Sequence, residues 1–312
     1  MFTARCIGIS LTAFVLLYAP LSAGISQIWK PLWGCIRPAS ARLSANLLFA
    51  MRLAPLVVAT IFTLGFTLPS FLLLEPRSTN ESVGTAPLFL GSCCLLLLAG
   101  GIVRTVVAQI RTSRAVTKWL VESTAIEAGQ PLPVFRARAT APALALAGVR
   151  APKILVSEAA VSLLTPQELQ VSLQHEVAHV RSGDNLKRLL FRLAVFPGMK
   201  ALEEAWAEQA ELAADDAAVS SPREALDLAS ALLKVSRLGS MQTLLTSGLL
   251  HTSTALSLRV RRLFAWEQNW PAPTSAYWWC GSSLALVTCL VLAFTYGSAL
   301  TGMHVVTEWL VR

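Results

Sequence analysis

The sequence has few charged residues, and acids are especially scarce. Charged residues make up 14% of the 312 residues, and 18 aspartates and glutamates are outnumbered by 26 lysines and arginines. Apolar residues account for 54% of the chain, and the mean hydropathy is positive at +0.57. This composition excludes an ordinary soluble protein of this length and is typical of a membrane protein with one modest soluble domain.

The sequence also lacks several patterns that would indicate other classes of protein. The six cysteines lie mostly in or beside apolar runs, and they show neither C-x-x-C spacing nor a secreted disulfide pattern. The net charge of +8 does not predict direct nucleic-acid binding, because no basic helix with interleaved aromatic residues is present. The basic residues instead cluster beside apolar runs, as expected of charges that orient membrane spans.

Four stretches are long and apolar enough to cross a bilayer, which requires about 20 residues. They are Ile7–Ile28, Ala54–Leu74, Pro87–Val103 (with an alternative end at Ile110) and Tyr277–Leu300. The fourth begins with aromatic residues that suit the boundary between membrane and water. The sequence therefore predicts a multi-pass protein that contacts membrane lipid.

The distribution of basic residues predicts how the spans are oriented. The first connection carries four basic residues and no acid, and the segment after the third span is also basic, whereas the second connection holds one arginine and two glutamates. By the positive-inside rule, the basic segments are cytoplasmic and both termini lie outside. The alternative is that Met1–Ala23 is a cleaved signal peptide, which would place the first connection outside.

The chain is predicted to have three parts. They are a three-span membrane region with a basic cytoplasmic connection (1–115), a cytoplasmic domain (116–272), and a fourth span with a short extracytoplasmic tail (273–312). The roughly 160 residues between the third and fourth spans are enough for one compact domain. The fold class is thus a four-span α-helical membrane protein with an α+β domain that is mainly helical and has a small sheet.

Local signals place the elements of this domain. Alternation in "VFRAR" and the run Ile154–Val156 predict short strands. Thr165, Pro166 and Glu168 form the N-cap, first-turn proline and capping-box acid of a helix, and Gly183 is expected to end it. This helix contains the most informative motif of the chain.

The segment "LQHEVAHVRSGDN" places two histidines on one face of that helix. His175 and His179 are four residues apart, so both imidazoles can bind one metal ion, while Glu176 is rotated by about 100° and lies beside it. Zinc hydrolysis needs this arrangement, because the metal activates water and a carboxylate accepts its proton. The alternative is an ordinary helix with incidental histidines.

Catalytic zinc commonly takes a carboxylate as its third protein ligand. The following helix, about residues 200–219, offers the acids Glu203, Glu204, Glu208, Glu211, Asp215 and Asp216. Glu208, Glu211 and Asp215 share one stripe at spacings of three and four. The stripe is consistent with a metal ligand or with a solvated acidic face.

"HEVAH" followed by "ELAADDAAV" resembles the gluzincin metallopeptidases, whose third ligand is the glutamate of an E-x-x-x-D motif. Together with "GVRAPKILVSEAAVSLLTPQEL", "LQHEVAHVRSGD" and "FP", these motifs are most similar to the BlaR/MecR family of bacterial integral-membrane metallopeptidases. The resemblance covers roughly Val134–Val219, and the span layout extends it to most of the chain. It implies one Zn²⁺ per chain bound by His175, His179 and Glu211, with Glu176 as the catalytic general base.

The resemblance also implies supporting roles for other residues. Asp215 matches the aspartate of the motif, and holding the free N–H of a ligand histidine would suit it. Asp184 matches another acidic position of the family, although an aspartate after Gly183 can equally cap the next helix. The strand of Ile154, Leu155 and Val156 is expected to pair with an extended substrate peptide.

The chain departs from the antibiotic-sensing members of that family. Only "TGMHVVTEWLVR" follows the fourth span, so no sensor domain is visible and the receptor role is not carried over. Three functions remain: a membrane-anchored zinc endopeptidase in regulated proteolysis of a cytoplasmic protein, a quality-control peptidase for membrane proteins, or a non-catalytic module stabilised by zinc. A transcriptional repressor and a separate sensor protein are candidate partners.

The segment "LSLRVRRLFAWEQNW" before the fourth span is basic and amphipathic. It is predicted to rest on the cytoplasmic membrane surface, with nucleic-acid contact as the weaker alternative. The remaining histidines, His251 and His304, lie far from the motif and are predicted to be ordinary polar residues.

Overall fold

The N-terminal part consists of three long apolar helical segments, the second of which contains a π-helical turn. The structure, a computed structural model, describes residues 2–35, 40–76, 84–126, 129–137, 142–239, 253–266 and 295–308. Helix α1 is Phe2–Cys35, α2 is Ala41–Phe62, a π-helical turn at Thr63–Thr67 leads into α3 at Leu68–Leu74, and α4 is Thr85–Val121. Within the described ranges, three helical segments are long and apolar enough to cross a membrane. Each of them is longer than, and contains, one of the first three predicted spans.

Most of the predicted fourth span, Tyr277–Leu300, lies outside the described residues, as does His251. Residues 295–308 are helical, and His304 Nε2 lies 3.7 Å from Glu308 Oε1 on the same helix. The hydroxyl of Ser70 in α3 donates a hydrogen bond to the carbonyl of Leu300 at 3.1 Å. This C-terminal helix therefore contacts the helices of the N-terminal part.

Helix α4 connects the apolar helices to the rest of the fold. Its 37 residues, at 1.5 Å each, extend about 55 Å and exceed the roughly 30 Å core of a bilayer. At Gly101 the helix passes so close to the carbonyl of Leu193 that a Cβ atom would collide with it. The glycine allows this close approach between α4 and the helix that ends at Leu193.

A small mixed sheet follows α4, as the sequence predicted. Its strands are β1 (Thr124–Ile126), β2 (Val134–Ala137), β3 (Leu144–Ala147) and β4 (Lys153–Ser157). The strand order is β1-β2-β4-β3, with β2 and β4 parallel and both outer pairs antiparallel. Side chains of the sheet, including Val134, Ile154 and Val156, pack against Leu173 and Val177 of a later helix.

The prediction that Ile154, Leu155 and Val156 pair with substrate is wrong. The strand itself was predicted correctly, but β4 lies in the middle of the sheet and is paired with β2 on one side and β3 on the other. All three residues are 0% exposed. Because the backbone groups of a central strand are already used by its neighbours, a substrate strand cannot add there.

Between the sheet and residue 266, the described residues form six helices. They are α5 (Glu158–Leu163), α6 (Pro166–Ser182), α7 (Asp184–Leu193), α8 (Lys200–Ala218), α9 (Pro222–Gly239) and α10 (Ser253–Phe264). Helix α6 begins and ends as predicted. The Thr165 hydroxyl accepts from the Glu168 backbone N–H at 3.2 Å, and the Thr165 N–H donates to the Glu168 carboxylate at 2.8 Å. Gly183 ends the helix with a φ of +68°.

The capping residue Glu168 also binds α9. Lys234 Nζ lies 2.7 Å from Oε2, and the Ser230 hydroxyl donates to Oε1 at 2.6 Å. Burial alone would raise the pKa of Glu168, but the hydrogen bonds from Lys234, Ser230 and Thr165 outweigh it and lower the pKa to about 2. The ionised carboxylate therefore holds the start of α6 against α9.

We expect Glu168→Gln to destabilise the domain by about 2 kcal/mol, because charged hydrogen bonds at a buried group are lost. In the unaltered protein, the contribution of Glu168 is complete above pH 4.5 and is lost as the pH falls toward its folded-state pKa of about 2. Thermal unfolding in detergent between pH 7 and 2.5 measures this effect. Glu224→Gln is a matched control, because Glu224 caps α9 through exposed contacts with Ser220. Equal losses in the two variants would contradict the prediction.

The apolar helices pack directly against α8. Side chains of α1, α2, α7, α8 and the α7–α8 loop form one buried cluster: Trp29, Ala45, Leu48, Phe191, Met199, Leu202, Trp206, Ala207 and Ala210. Arg52 of α2, which is 2% exposed, donates to Glu203 at 2.8 Å and to the carbonyl of Ala194. The Tyr18 hydroxyl donates to the carbonyl of Val195 at 2.9 Å. These contacts set the position of α8 relative to the apolar helices.

The prediction that the basic segment around α10 rests on the membrane surface is wrong for this helix. Val260 and Leu263 are buried in a cluster with Leu228 and other side chains of α9. Arg259 is only 7% exposed, and Arg262 pairs with Asp216 of α8 at 2.8 Å. The amphipathic pattern reflects packing against the domain rather than against lipid.

Candidate metal centre

Helices α6 and α8 bring three ligand atoms together. His175 and His179 lie one turn apart on α6, and Glu211 of α8 faces them. One ligand atom from each residue lies within 4.8 Å of the other two. The two Nε2 atoms are 3.1 Å apart, and they lie 3.4 Å (His175) and 3.7 Å (His179) from the Glu211 oxygens.

The donor set fits a zinc ion. Zinc binds imidazole nitrogen and carboxylate oxygen at about 2.0–2.2 Å, so tetrahedral geometry separates the ligand atoms by about 3.3–3.5 Å. The separations of 3.1, 3.4 and 3.7 Å lie around this value. Two histidines and one carboxylate are also the set that leaves a fourth position for water in catalytic zinc sites.

Each histidine has an acid on the opposite side of its ring. Asp184 Oδ2 lies 2.7 Å from Nδ1 of His179, and Asp215 Oδ1 lies 3.0 Å from Nδ1 of His175. The side chain of Asp184 also lies 3.5 Å from Lys187 Nζ. The contact between His179 and Asp184 has hydrogen-bond geometry, whereas the one between His175 and Asp215 is close but lacks that geometry. An acid that accepts from Nδ1–H leaves the Nε2 lone pair free to bind a metal.

Glu176 is located differently from the two histidines. Both histidines are 7% exposed, whereas Glu176 is half-buried. It follows His175 directly on α6 and therefore lies near the cluster. A carboxylate that is close to the metal position and open to water can exchange protons with solvent.

Burial and neighbouring charged groups shift the pKa values of His175, His179 and Glu211. Burial lowers the pKa of His179, but contacts with Asp184 and Glu211 outweigh it and raise the pKa to about 10. The pKa of His175 is also raised, because Asp215 and Glu211 outweigh the opposing effect of burial. Burial would raise the pKa of Glu211, but the two histidines and Arg259 hold it well below its usual range. A metal ion entering the cluster must therefore displace protons from the imidazoles.

Sequence reasoning missed Arg259 as part of this cluster. Its guanidinium lies 2.6 and 2.7 Å from the two Asp215 oxygens and 3.0 Å from Glu211 Oε2. The available signal was its position, because Arg259 occupies the apolar stripe that Leu256, Val260 and Leu263 form on α10. An arginine on an otherwise buried stripe needs a buried acid as its partner.

Residues 113–264 match the family model described as Peptidase family M48. This part of the chain is similar to the M48 peptidases. The match includes every residue of the cluster, from His175 to Arg259, and covers just under half of the chain. It confirms the family resemblance found in the motifs and is consistent with a BlaR/MecR-type membrane zinc peptidase. No curated protein matches the chain significantly.

The M48 match supports a metallopeptidase, and hence a protein or peptide substrate.

The acids of α8 point in different directions. Glu211 and Asp215 face the histidines, whereas Glu208 is exposed and Asp216 pairs with Arg262. Of the predicted stripe of Glu208, Glu211 and Asp215, only Glu211 and Asp215 belong to the cluster.

Proposed function

We propose that this protein is a membrane-anchored, zinc-dependent endopeptidase that cleaves a cytoplasmic protein in regulated proteolysis. The observation that carries the proposal is the group of the buried His175 and His179 and the partly buried Glu211, with Glu176 directly after His175 on α6. A zinc that only stabilises the hairpin would be expected to have four protein ligands and would need no adjacent base. The retained Glu176 therefore favours the enzyme over the non-catalytic module.

The residues divide the chemistry between them. Zinc bound by His175, His179 and Glu211 would act as a Lewis acid that activates water and polarises the scissile carbonyl. Glu176 accepts the proton of the attacking water and transfers it to the leaving amine. Asp184 and Asp215 orient the imidazoles through the Nδ1 atoms.

We assign substrate binding to the edge strand β3. The Ser157 N–H donates to the carbonyl of Ala143 at 3.0 Å. Because hydrogen-bonded pairs alternate along antiparallel strands, Ala145 and Ala147 also face β4, while the backbone groups of Leu144 and Leu146 point away from it. No described strand pairs with that side of β3. An extended peptide can add there.

Helix α7 contacts both the edge strand β3 and the metal centre. The side chain of Asn185 donates to the carbonyl of Gly148 at 2.9 Å, directly after β3. Asn185 follows Asp184, which contacts His179. A peptide paired with β3 is thereby held beside α6.

We expect Leu146→Pro to lower kcat/KM about tenfold or more, because proline removes the N–H that a substrate strand would use. Leu146→Ala removes the same side chain but keeps this N–H, and it should retain most of the activity. Cleavage kinetics of both variants measure the difference. Equal rates in two folded variants would contradict binding at β3.

The basic connections support an orientation with the M48 domain in the cytoplasm and both termini outside a bacterial cytoplasmic membrane, with Tyr277–Leu300 as a fourth span. A reporter fused after Arg312 tests this topology. If a reporter enzyme that is active only outside the cytoplasm shows activity, the result agrees with the proposed topology. A cytoplasmic signal would overturn it.

Quality control of membrane proteins is the second candidate. The direct packing of α8 against α2 favours it, because it holds the metal centre close to the apolar helices. Substrates with a span and a cytoplasmic segment of varied length distinguish the two candidates. Cleavage restricted to sites near the span supports quality control, whereas equal cleavage of a soluble chain supports regulated proteolysis, including cleavage of a repressor.

The proposed function is tested with the purified full chain in detergent. We expect about one zinc per chain, loss of cleavage of unfolded model proteins on chelation, and recovery when zinc is restored. A chain that binds zinc but cleaves neither model proteins, itself nor co-expressed partners would refute the proposal.

A further inference from the structure

We propose that Arg259 is a positioning residue of the metal centre, so that α10 completes a site whose ligands lie on α6 and α8. The proposal rests on the proposed zinc site but not on peptide cleavage. Arg259 donates to both oxygens of Asp215 and to Oε2 of Glu211, at distances of 2.6 to 3.0 Å. One side chain therefore holds a proposed ligand and the acid that orients another.

The contacts of Arg259 act on the ligands along two routes. Through Glu211, Arg259 restrains a carboxylate whose oxygens face His175 and His179. Through Asp215, it holds the oxygen that lies 3.0 Å from Nδ1 of His175. A planar guanidinium can make these parallel and diverging bonds at once, which an ammonium group cannot.

Charge is the second reason for an arginine at this position. The buried acids Asp184 and Asp215 and the partly buried Glu211 are grouped around two histidines. Arg188 also approaches Glu211, but at 3.7 Å and from a side chain that is 41% exposed. Lys187, with a side chain 16% exposed, lies 3.5 Å from Asp184. Arg259, with a side chain 9% exposed, is the most buried cation of the described cluster. It offsets acids that would otherwise repel one another.

Helix α10 does not depend on Arg259 to remain in place. Val260 and Leu263 are buried against α9, and Arg262 pairs with Asp216 one turn away from the site. Removal of the Arg259 guanidinium should therefore disturb the ligands without releasing the helix. Arg262→Gln removes an ion pair between the same two helices and provides a matched control.

The test measures metal binding by the full chain in detergent, with Glu176→Gln present in every sample to prevent self-cleavage. We expect Arg259→Gln to weaken zinc binding by about 10- to 100-fold in competition with a chelating dye. The visible spectrum of Co²⁺ bound in place of zinc should also change, because it reports coordination geometry. Arg259→Lys should restore part of the affinity through its charge, whereas Arg262→Gln should leave affinity and spectrum unchanged.

Thermal unfolding without metal separates positioning from folding. Comparable stability of Arg259→Gln and Arg262→Gln, together with weaker zinc binding in the first alone, supports the proposal. Unchanged zinc affinity and Co²⁺ spectrum in Arg259→Gln would overturn it, even in an active peptidase. A parent chain that binds no zinc would overturn both this inference and the proposed function, whereas zinc binding without cleavage would overturn only the function.

Discussion

Glu176→Gln is expected to reduce cleavage by about a hundred- to ten-thousandfold while zinc remains bound. Glutamine keeps the size and hydrogen-bonding shape of the side chain but cannot accept a proton from water. The metal ligands His175, His179 and Glu211 are unchanged by the substitution, so the variant should bind about one zinc per chain. Single-turnover cleavage and metal analysis of the same samples measure both quantities.

Two comparisons make this result specific to Glu176. Glu208→Gln removes an exposed acid from the neighbouring helix and should leave the rate unchanged. Loss of zinc from Glu176→Gln would show that the residue supports the metal rather than the chemistry. Full activity with zinc bound would rule it out as the general base.

Glu211→Gln is expected to weaken zinc binding by more than about a hundredfold and to abolish cleavage. The substitution removes the negative charge of the only proposed carboxylate ligand, and a neutral amide is a much poorer partner for Zn²⁺. It also leaves the buried Arg259 without one of its two acids. Metal content after dialysis and competition with a chelating dye measure the loss.

The control for this prediction lies one turn away on the same helix. Glu208 was indistinguishable from Glu211 in the sequence stripe, but it is exposed. Glu208→Gln should therefore keep zinc affinity and activity. Equal zinc binding by both variants would show that Glu211 is not a ligand and would leave the two histidines without their proposed third partner.

Helix α8 links the metal centre to the apolar helices. One face carries Glu211 and Asp215 toward the histidines, and another carries Trp206, Ala207 and Ala210 into the cluster with α1 and α2. Near its start, Glu203 pairs with the buried Arg52. The position of a proposed metal ligand is therefore set partly by contacts with the membrane-span candidates.

The features that the sequence determined by itself depend on short-range patterns. The capping box at Thr165 and the glycine at 183 delimit α6, so they place His175, Glu176 and His179 on one helix. Apolar runs determine the first three long helices, the alternation in "VFRAR" determines β2, and the short apolar run at Ile154–Val156 determines β4. Each of these patterns extends over a few residues or a single element, so a single sequence is sufficient to read it.

The remaining features were decided by tertiary structure, because they join residues that are distant in the chain. Strand order makes β4 a central strand and β3 an edge, which no local pattern of Ile154–Val156 could show. The rotation of α8 exposes Glu208 and turns Glu211 toward the histidines, and the packing of α10 buries an arginine that looked suited to a membrane surface. Periodicity defines which residues share a face, but only packing between elements decides what each face contacts.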